Sequence, residues 1–294
     1  ANKTFSPYYS SKIILGKTGA SGALETDELM NMIFENTDVA KFICRKLYRY
    51  FVYYYIDTNV ENNIIVPLAN TFISNNYNIK PVLKQLLQSE HFYDSLYIGC
   101  QIKSPLDHVV GFLRQYEISF PDAVTDYADS YFLYNYMVSQ LNSMGQSPVD
   151  PPNVAGWPAY YQTPDFNELW INADTLPKRN KFTDLMIETG YTKNGKKIIV
   201  NTVQFAKTVC ASPSDPNALI DSLFSFLTAT EIDVSLKKTL KTQILLSGQT
   251  SDYYWTDAWN LYLANPTTIN YNTVHTRLKA LLKYIMNLPD YQLQ

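Results

Sequence analysis

Residues 145–179 read GQSPVDPPNVAGWPAYYQTPDFNELWINADTLPKR, the one segment of the chain that no regular helix or strand can accommodate. Pro148, Pro151, Pro152, Pro158 and Pro164 each hold φ at about −65° and remove a backbone donor, so the segment runs extended or through defined bends. Asn153, Gly156, Trp157, Tyr160, Tyr161 and Trp170 set amphipathic rings and one conformationally free glycine on that stiff backbone. A flexible linker does not carry such ring area, so the loop is expected to be ordered, with Gly156 in a conformation other residues tolerate poorly. Trp157 and Trp170 are expected to plug the core, and Tyr160 and Tyr161 are left open between core and recognition.

Outward from this loop, both flanks carry helix signals. Gly145 is a C′ glycine that closes a helical run beginning near Val124. KSPLD at 103–107 opens another helix, with Ser104 as N-cap, Pro105 at N1 and Asp107 at N3. Its spacing places Leu106, Val109, Val110, Leu113 and Tyr116 inward and Asp107, His108, Gly111 and Arg114 outward. Farther upstream, Asn36 or Thr37 caps a helix running to about Tyr54, with Val39, Ile43, Leu47, Tyr50 and Phe51 on its apolar arc. Lys41, Arg45 and Arg49 form a basic stripe beside that arc. A short helix around Pro67 follows, and Asn78 caps the next. Downstream, Asn172 or Asp174 restarts a helix that ends at Gly190, and further helices open at Asp215-Pro216, Asp233 and Thr267 or Thr268.

Only 191–200, YTKNGKKIIV, reads as strand, with Asn194-Gly195 predicting a type I′ hairpin. The expected fold is mostly α: an irregular multi-helix array with a long Pro/aromatic-rich loop and at most one short β-hairpin. Residues 1–25 read as an extended lead-in and 26–294 as a single helical domain, with 190–200 as the candidate sub-boundary.

Composition narrows function by exclusion. A net charge of −3 with 17% charged residues provides no basic field, which argues against a nucleic-acid partner. Cys44, Cys100 and Cys210 form neither a disulfide framework nor a zinc spacing. No apolar run approaches the roughly 18 residues that span a bilayer, and the opening ANKTFSPYYSSK carries no signal-peptide h-region. No metal or cofactor is expected, because HExxH, DxDxDG and paired-histidine spacings are missing. Asp122, Asp126 and Asp129 are accounted for by a helix dipole.

Hydrolysis needs a nucleophile with a base, and only His91, His108 and His275 are on offer. His91 reads as a helix-end residue and His275 as a hydrogen-bonded core residue. Asp107, His108 and Arg114 make a polar surface candidate. The residues thus name no catalytic group, and the enzyme question leans toward no.

ICRKLYRYFV at 43–52, LLQSEHFYD at 86–94, IKSP at 102–105, MGQ and PPNVAGWP within 144–158, WIN at 170–172, Arg179 and LPDYQL at 288–293 occur together in this order. This set resembles the C-terminal half of the large bacterial family catalogued as domain of unknown function 1800, and the tyrosine-rich stretch after GWP resembles its Bacteroidetes branch. Members are usually longer, so the resemblance implies a piece of a longer protein whose N-terminal half lies outside this chain. It also implies export to the periplasm or cell surface, and a partner resembling alkaline phosphatases and sulfatases encoded nearby. It supplies no catalytic residues. The expectation is a non-enzymatic scaffold or protein-binding module organised around the GWP loop, with Asn153, Trp157, Tyr160, Tyr161 and Trp170 as its binding residues. The alternatives are a glycan-binding module using exposed rings, and a hydrolase-like domain completed by the N-terminal half.

Overall fold

A computed structural model describes residues 1–294. Helix accounts for 63% of the chain, as the patterning predicts. Two compact units emerge, Ala1–Tyr97 and Ile98–Gln294. The break falls just ahead of IKSP, whereas the sequence reading carries one domain from residue 26 with its sub-boundary near 190–200.

In unit one, the lead-in folds back on itself. Strand β1 (Lys3–Thr4) pairs antiparallel with β2 (Ile13–Ile14), so the chain has a strand pair in addition to the one hairpin its sequence predicts. Ser10 and Ser11, at φ 54° and 51°, make the reversal between them. Helix α1 covers Leu24–Phe34 and α2 covers Thr37–Phe51, the latter capped where Asn36 Oδ1 accepts from Asp38 N at 2.9 Å. Helix α3 spans 58–74 with a π turn at Glu61–Ile65, and α4 spans Ile79–Leu87 behind its Asn78 cap.

The core line on α2 is Ala40, Cys44, Tyr48 and Val52, which meet Ile65, Leu68, Ala69 and Phe72 of α3 and Val82 and Leu86 of α4. This arc is rotated by about one position from the predicted one, and Tyr50 and Phe51 are exposed. Ala40 and Cys44 are small enough for α3 to approach closely, and that approach outweighs burial of the larger rings. Arg45 of the basic stripe is not simply solvated: it grips Glu61 of α3 with bonds of 2.8 and 2.6 Å.

Unit two begins with α5 (Pro105–Gln115), which carries the predicted capping box between Ser104 and Asp107. Helix α6 (Tyr127–Ser143) leads into the proline-rich loop, and α7 (Thr175–Glu188) leaves it. The predicted hairpin follows as β3 (Tyr191–Lys193) and β4 (Lys196–Ile198), its turn set by positive φ at Asn194 and Gly195. Then come α8 (Thr202–Val209), α9 (Pro216–Leu227), α10 over 234–245 with a π turn at Lys241–Leu245, α11 (Tyr253–Ala264) and α12 (Thr268–Asn287).

The centre of this unit is α12. Val274, Leu278, Leu281, Leu282, Ile285 and Met286 are all buried, and α7, α8, α10 and α11 pack around it. Beyond α12 the chain returns to its unit's beginning. Ile102 and Leu293 form an antiparallel bridge, flanked by Lys103 N to Gln292 O and Gln294 N to Gln101 O, both 2.8 Å. No helix is long and apolar enough to cross a membrane.

Candidate functional site

The loop between α6 and α7 is built by its own polar side chains. Gly145, at φ 95°, ends α6, and Gln146 N reaches Leu141 O at 3.0 Å, so the chain turns sharply out of the helix. Gln146 is buried, and its Oε1 accepts from Leu106 N at 2.8 Å while its Nε2 donates to Tyr160 Oη at 3.3 Å. Asn153 Oδ1 accepts from Ala155 N at 2.8 Å, and Asn153 O accepts from Gly156 N at 3.0 Å. Gly156 is at φ 95°, the left-handed conformation expected of it.

Two 3-10 turns follow, Pro158–Tyr160 and Phe166–Trp170, with a cis peptide at Thr163-Pro164 between them. Asn167 Oδ1 ties the second turn to Ile102 N at 3.1 Å. Asn172 Oδ1 takes the amides of Asp174 and Thr175, and Thr175 Oγ1 donates to Trp170 O at 2.9 Å, fixing the entry to α7. The loop is therefore ordered by bonds to the 102–106 segment and by internal turns.

The rings divide differently from expectation. Trp170 is buried as predicted, at 5% exposure, together with Ala159 and Phe166. Trp157 is only half-buried, which corrects its assignment to the core. The Gly156 turn delivers it beside the Pro158 bend, where it meets Tyr160 edge-on at 6.3 Å instead of entering the packed interior. Tyr160 in turn stands edge-on to Trp170 at 5.5 Å. Tyr161 is exposed and takes a bond from Asn153 Nδ2 at 2.9 Å. Val149 and Val154 are fully exposed.

The polar trio proposed for α5 is not brought together. Asp107 and Arg114 are exposed, but His108 is 1% exposed and faces the interior. Helix α5 buries Pro105, His108, Val109 and Phe112, while Leu106 and Val110 lie outside, so the true arc is centred between 108 and 109. The His108 ring lies 5.8 Å from that of Tyr291 and 6.2 Å from that of Phe182. Neither of its nitrogens has a hydrogen-bond partner. Burial, aided by the charges of Arg179 and Lys103, pushes its pKa down to about 3. The Arg179 carbonyl is near enough to oppose this shift, but not placed to accept a bond.

Beside His108 lies a residue group that sequence reasoning did not single out as a site. Arg179 is completely buried; Nη2 donates to Lys103 O at 2.8 Å, Nη1 reaches Gln292 Oε1 at 3.4 Å, and Nε has no partner. Lys103 Nζ donates to Tyr291 O at 2.6 Å and sits 4.3 Å from the centre of the Tyr291 ring. Burial, reinforced by Arg179 and opposed by Asp107, pushes Lys103 down to about 8. Burial likewise pushes Arg179 down to about 10, with Asp107 again opposing. The Asp107 carboxylate is engaged by the N–H and hydroxyl of Ser104.

The signal for this group was present in the pattern: Arg179 falls on the buried stripe Thr175, Phe182, Thr183 and Met186 of α7. A charge on an apolar stripe is either paired or functional. IKSP, MGQ, WIN, Arg179 and LPDYQL, far apart in sequence, thus converge in unit two. In unit one ICRKLYRYFV meets SEHFYD, where Tyr48 Oη lies 2.8 Å from His91 Nε2. His275 bonds Thr202 Oγ1 through Nδ1 at 2.7 Å, matching its predicted hydrogen-bonded role.

Fold and site define an α-helical protein whose aromatic loop is tied to the 102–106 segment, which carries the half-buried Lys103 beside the fully buried Arg179. The chain belongs to the family described as Protein of unknown function (DUF1800), whose family model matches residues 5–293. No curated protein and no solved structure matches the chain.

Proposed function

We propose that this chain is a non-enzymatic protein-binding module whose recognition element is the 148–164 loop. The observation that supports this reading is an ordered loop that leaves Val149, Val154 and Tyr161 exposed and Trp157 half-buried. Pinning by Gln146, Asn153 and Asn167 means that little conformational entropy remains to be lost on association. Aliphatic and aromatic groups presented together on a rigid backbone suit a protein surface.

A sugar chain prefers broad ring faces to stack on, and here Trp157, Tyr160 and Trp170 meet at 80° and 77°, edge against face. That geometry favours protein over glycan. A hydrolase-like role requires a base within reach of a nucleophile; His108 has no hydroxyl within bonding distance, whereas His91 meets Tyr48 Oη at 2.8 Å and His275 meets Thr202 Oγ1 at 2.7 Å, and those two pairs are what a hydrolase reading would build on.

Our reading places the module outside the cytoplasm, with the phosphatase- or sulfatase-like protein encoded nearby as its partner; both rest on the family resemblance. The test is binding of the purified chain to that neighbour by interferometry, beside a panel of polysaccharides. Val154→Asp and Trp157→Ala are expected to weaken binding at least about tenfold, Val154→Asp with little change in melting temperature. Binding that survives both substitutions would sink the recognition-loop reading, and saturable binding to a polysaccharide instead of the protein would favour the glycan alternative.

A further inference from the structure

We propose that the outer face of α6 docks a basic amphipathic helix of a partner protein. A surface helix of a monomer needs one apolar face, and α6 has two. Ser130, Leu133, Met137 and Leu141 turn to the core. Tyr127, Tyr131, Tyr134 and Val138 form a second stripe at i, i+4, i+7 and i+11, all of it exposed, with Tyr127 at 72% and Tyr131 at 65%. Val124, just ahead of the helix, extends the exposed line. Steps of four and three residues are the spacing of a seam between two helices, in which a ridge of side chains on one enters the groove of the other. No group of the chain bonds the hydroxyls of the three tyrosines.

Spacing sets the shape of the occupant, and charge sets its chemistry. Between Arg114 and Lys178 the chain holds eight carboxylates and no Lys, Arg or His, so this stretch carries −8 while the rest of the chain carries a net +5. Phe120 stacks on Tyr134 with ring centres 4.4 Å apart, which brings the 117–122 segment, with exposed Glu117 and Asp122, alongside the stripe. The cations that reach α6 come from the hairpin: Lys196 lies 3.6 Å from Asp126, and Lys193 stands 5.5 Å over the Phe132 ring. Phe132 is about 130° around the helix from the stripe, so Lys193 leaves the tyrosines uncovered.

A second copy of this chain on the same face would set these carboxylates against themselves across a two-fold axis. Lys and Arg flanking the apolar line of a foreign helix would instead meet carboxylates and tyrosine rings, by the attraction that already places Lys193 over Phe132. The stripe shares no residue with the 148–164 loop, and its reading does not rest on that of the loop.

The test titrates the full chain by fluorescence anisotropy with a peptide of about three heptads, Leu at a and d and Lys at e and g, beside a twin with Glu at e and g. Like charges at e and g keep either peptide from pairing with itself. The Lys peptide is expected to bind saturably, at least about tenfold tighter than the Glu twin, and more weakly as salt is raised. Tyr131→Lys is expected to weaken it at least about tenfold with little change in melting temperature, and Val154→Asp on the loop to leave it unchanged. No saturable binding up to about 1 mM, equal binding of the twins, or binding indifferent to Tyr131→Lys overturns the proposal. A loss in Val154→Asp equal to that in Tyr131→Lys would put the peptide on the loop and overturns it too. So does a concentration-dependent dimer of the chain that Tyr131→Lys abolishes, since the occupant would then be a second copy.

Discussion

His108 shows how polarity misleads when it is read one residue at a time. Its ring carries two polar atoms, which argued for the surface, yet it lies buried against Phe182 and Tyr291. The consequence is measurable as acid lability. In the unfolded chain the ring takes a proton as pH falls through about 6.5. In the folded chain, burial delays protonation until about 3. Between those values only the unfolded state binds the proton, so stability falls as the pH is lowered, by about 2 kcal/mol at pH 5. Burial also lowers His91 and His275, so they act with the same sign. Urea midpoints at pH 7.5 and pH 5 are expected to differ accordingly, and His108→Phe to narrow the gap; an unchanged gap refutes this assignment. The two loop tryptophans separate at the same scale. Trp170→Ala removes a buried ring and is expected to cost about 3–5 kcal/mol. Trp157→Ala, taken from a half-exposed ring, is expected to cost about 1–2 kcal/mol. Thermal melts that show equal losses for the two would contradict this ordering.

Among the elements, the turns provide the sharpest contrast. Gly190 and Gly156 both have positive φ, at 69° and 95°. A Cβ at Gly156 meets nothing, so Gly156→Ala carries only the conformational cost, about 1 kcal/mol. A Cβ at Gly190 would come within 2.7 Å of Ile199 Cβ and nearer still to the Ile198 carbonyl, where the hairpin folds back on α7. Gly190→Ala is therefore expected to destabilise more than Gly156→Ala in chemical denaturation, and the reverse order would refute the close approach. Much at this scale was legible in sequence. Asn36, Asn78, Ser104, Asp215, Asp233 and Thr267 cap helices with their side chains, because a cap depends on one side chain and the two or three amides after it. Which face of a helix is buried was less legible. On α2 and α5 the predicted arcs are off by about one position, since large rings and polarity weighted the reading while small residues and Pro105 set the contact. The lead-in's strand pair is only two residues per strand, too short for any periodicity to show. Arg179 could be picked out on its helix stripe, but its grouping with Lys103 could not, because the two lie 76 residues apart and meet only through the fold.

For the whole molecule, the two buried clusters are each drawn from one unit, Ala40–Leu86 in the first and Val109–Tyr291 in the second. Residues 98–294 expressed alone are therefore expected to fold, with a helical circular dichroism spectrum and a single cooperative transition. A fragment that lacks near-ultraviolet signal and melts without cooperativity would show that its core is incomplete. The pairing of residues 101–103 with 292–294 has one more consequence for such a fragment. Entry and exit of unit two leave from a single place, like the two legs of a staple. Joining residue 294 to residue 98 through a short glycine-rich bridge, and opening new termini in an exposed turn such as Asn194-Gly195, would keep every helix in register. By the same geometry, the unit can be spliced as a cassette into a surface turn of an unrelated host, whose own backbone would need to part by only the width of two neighbouring strands.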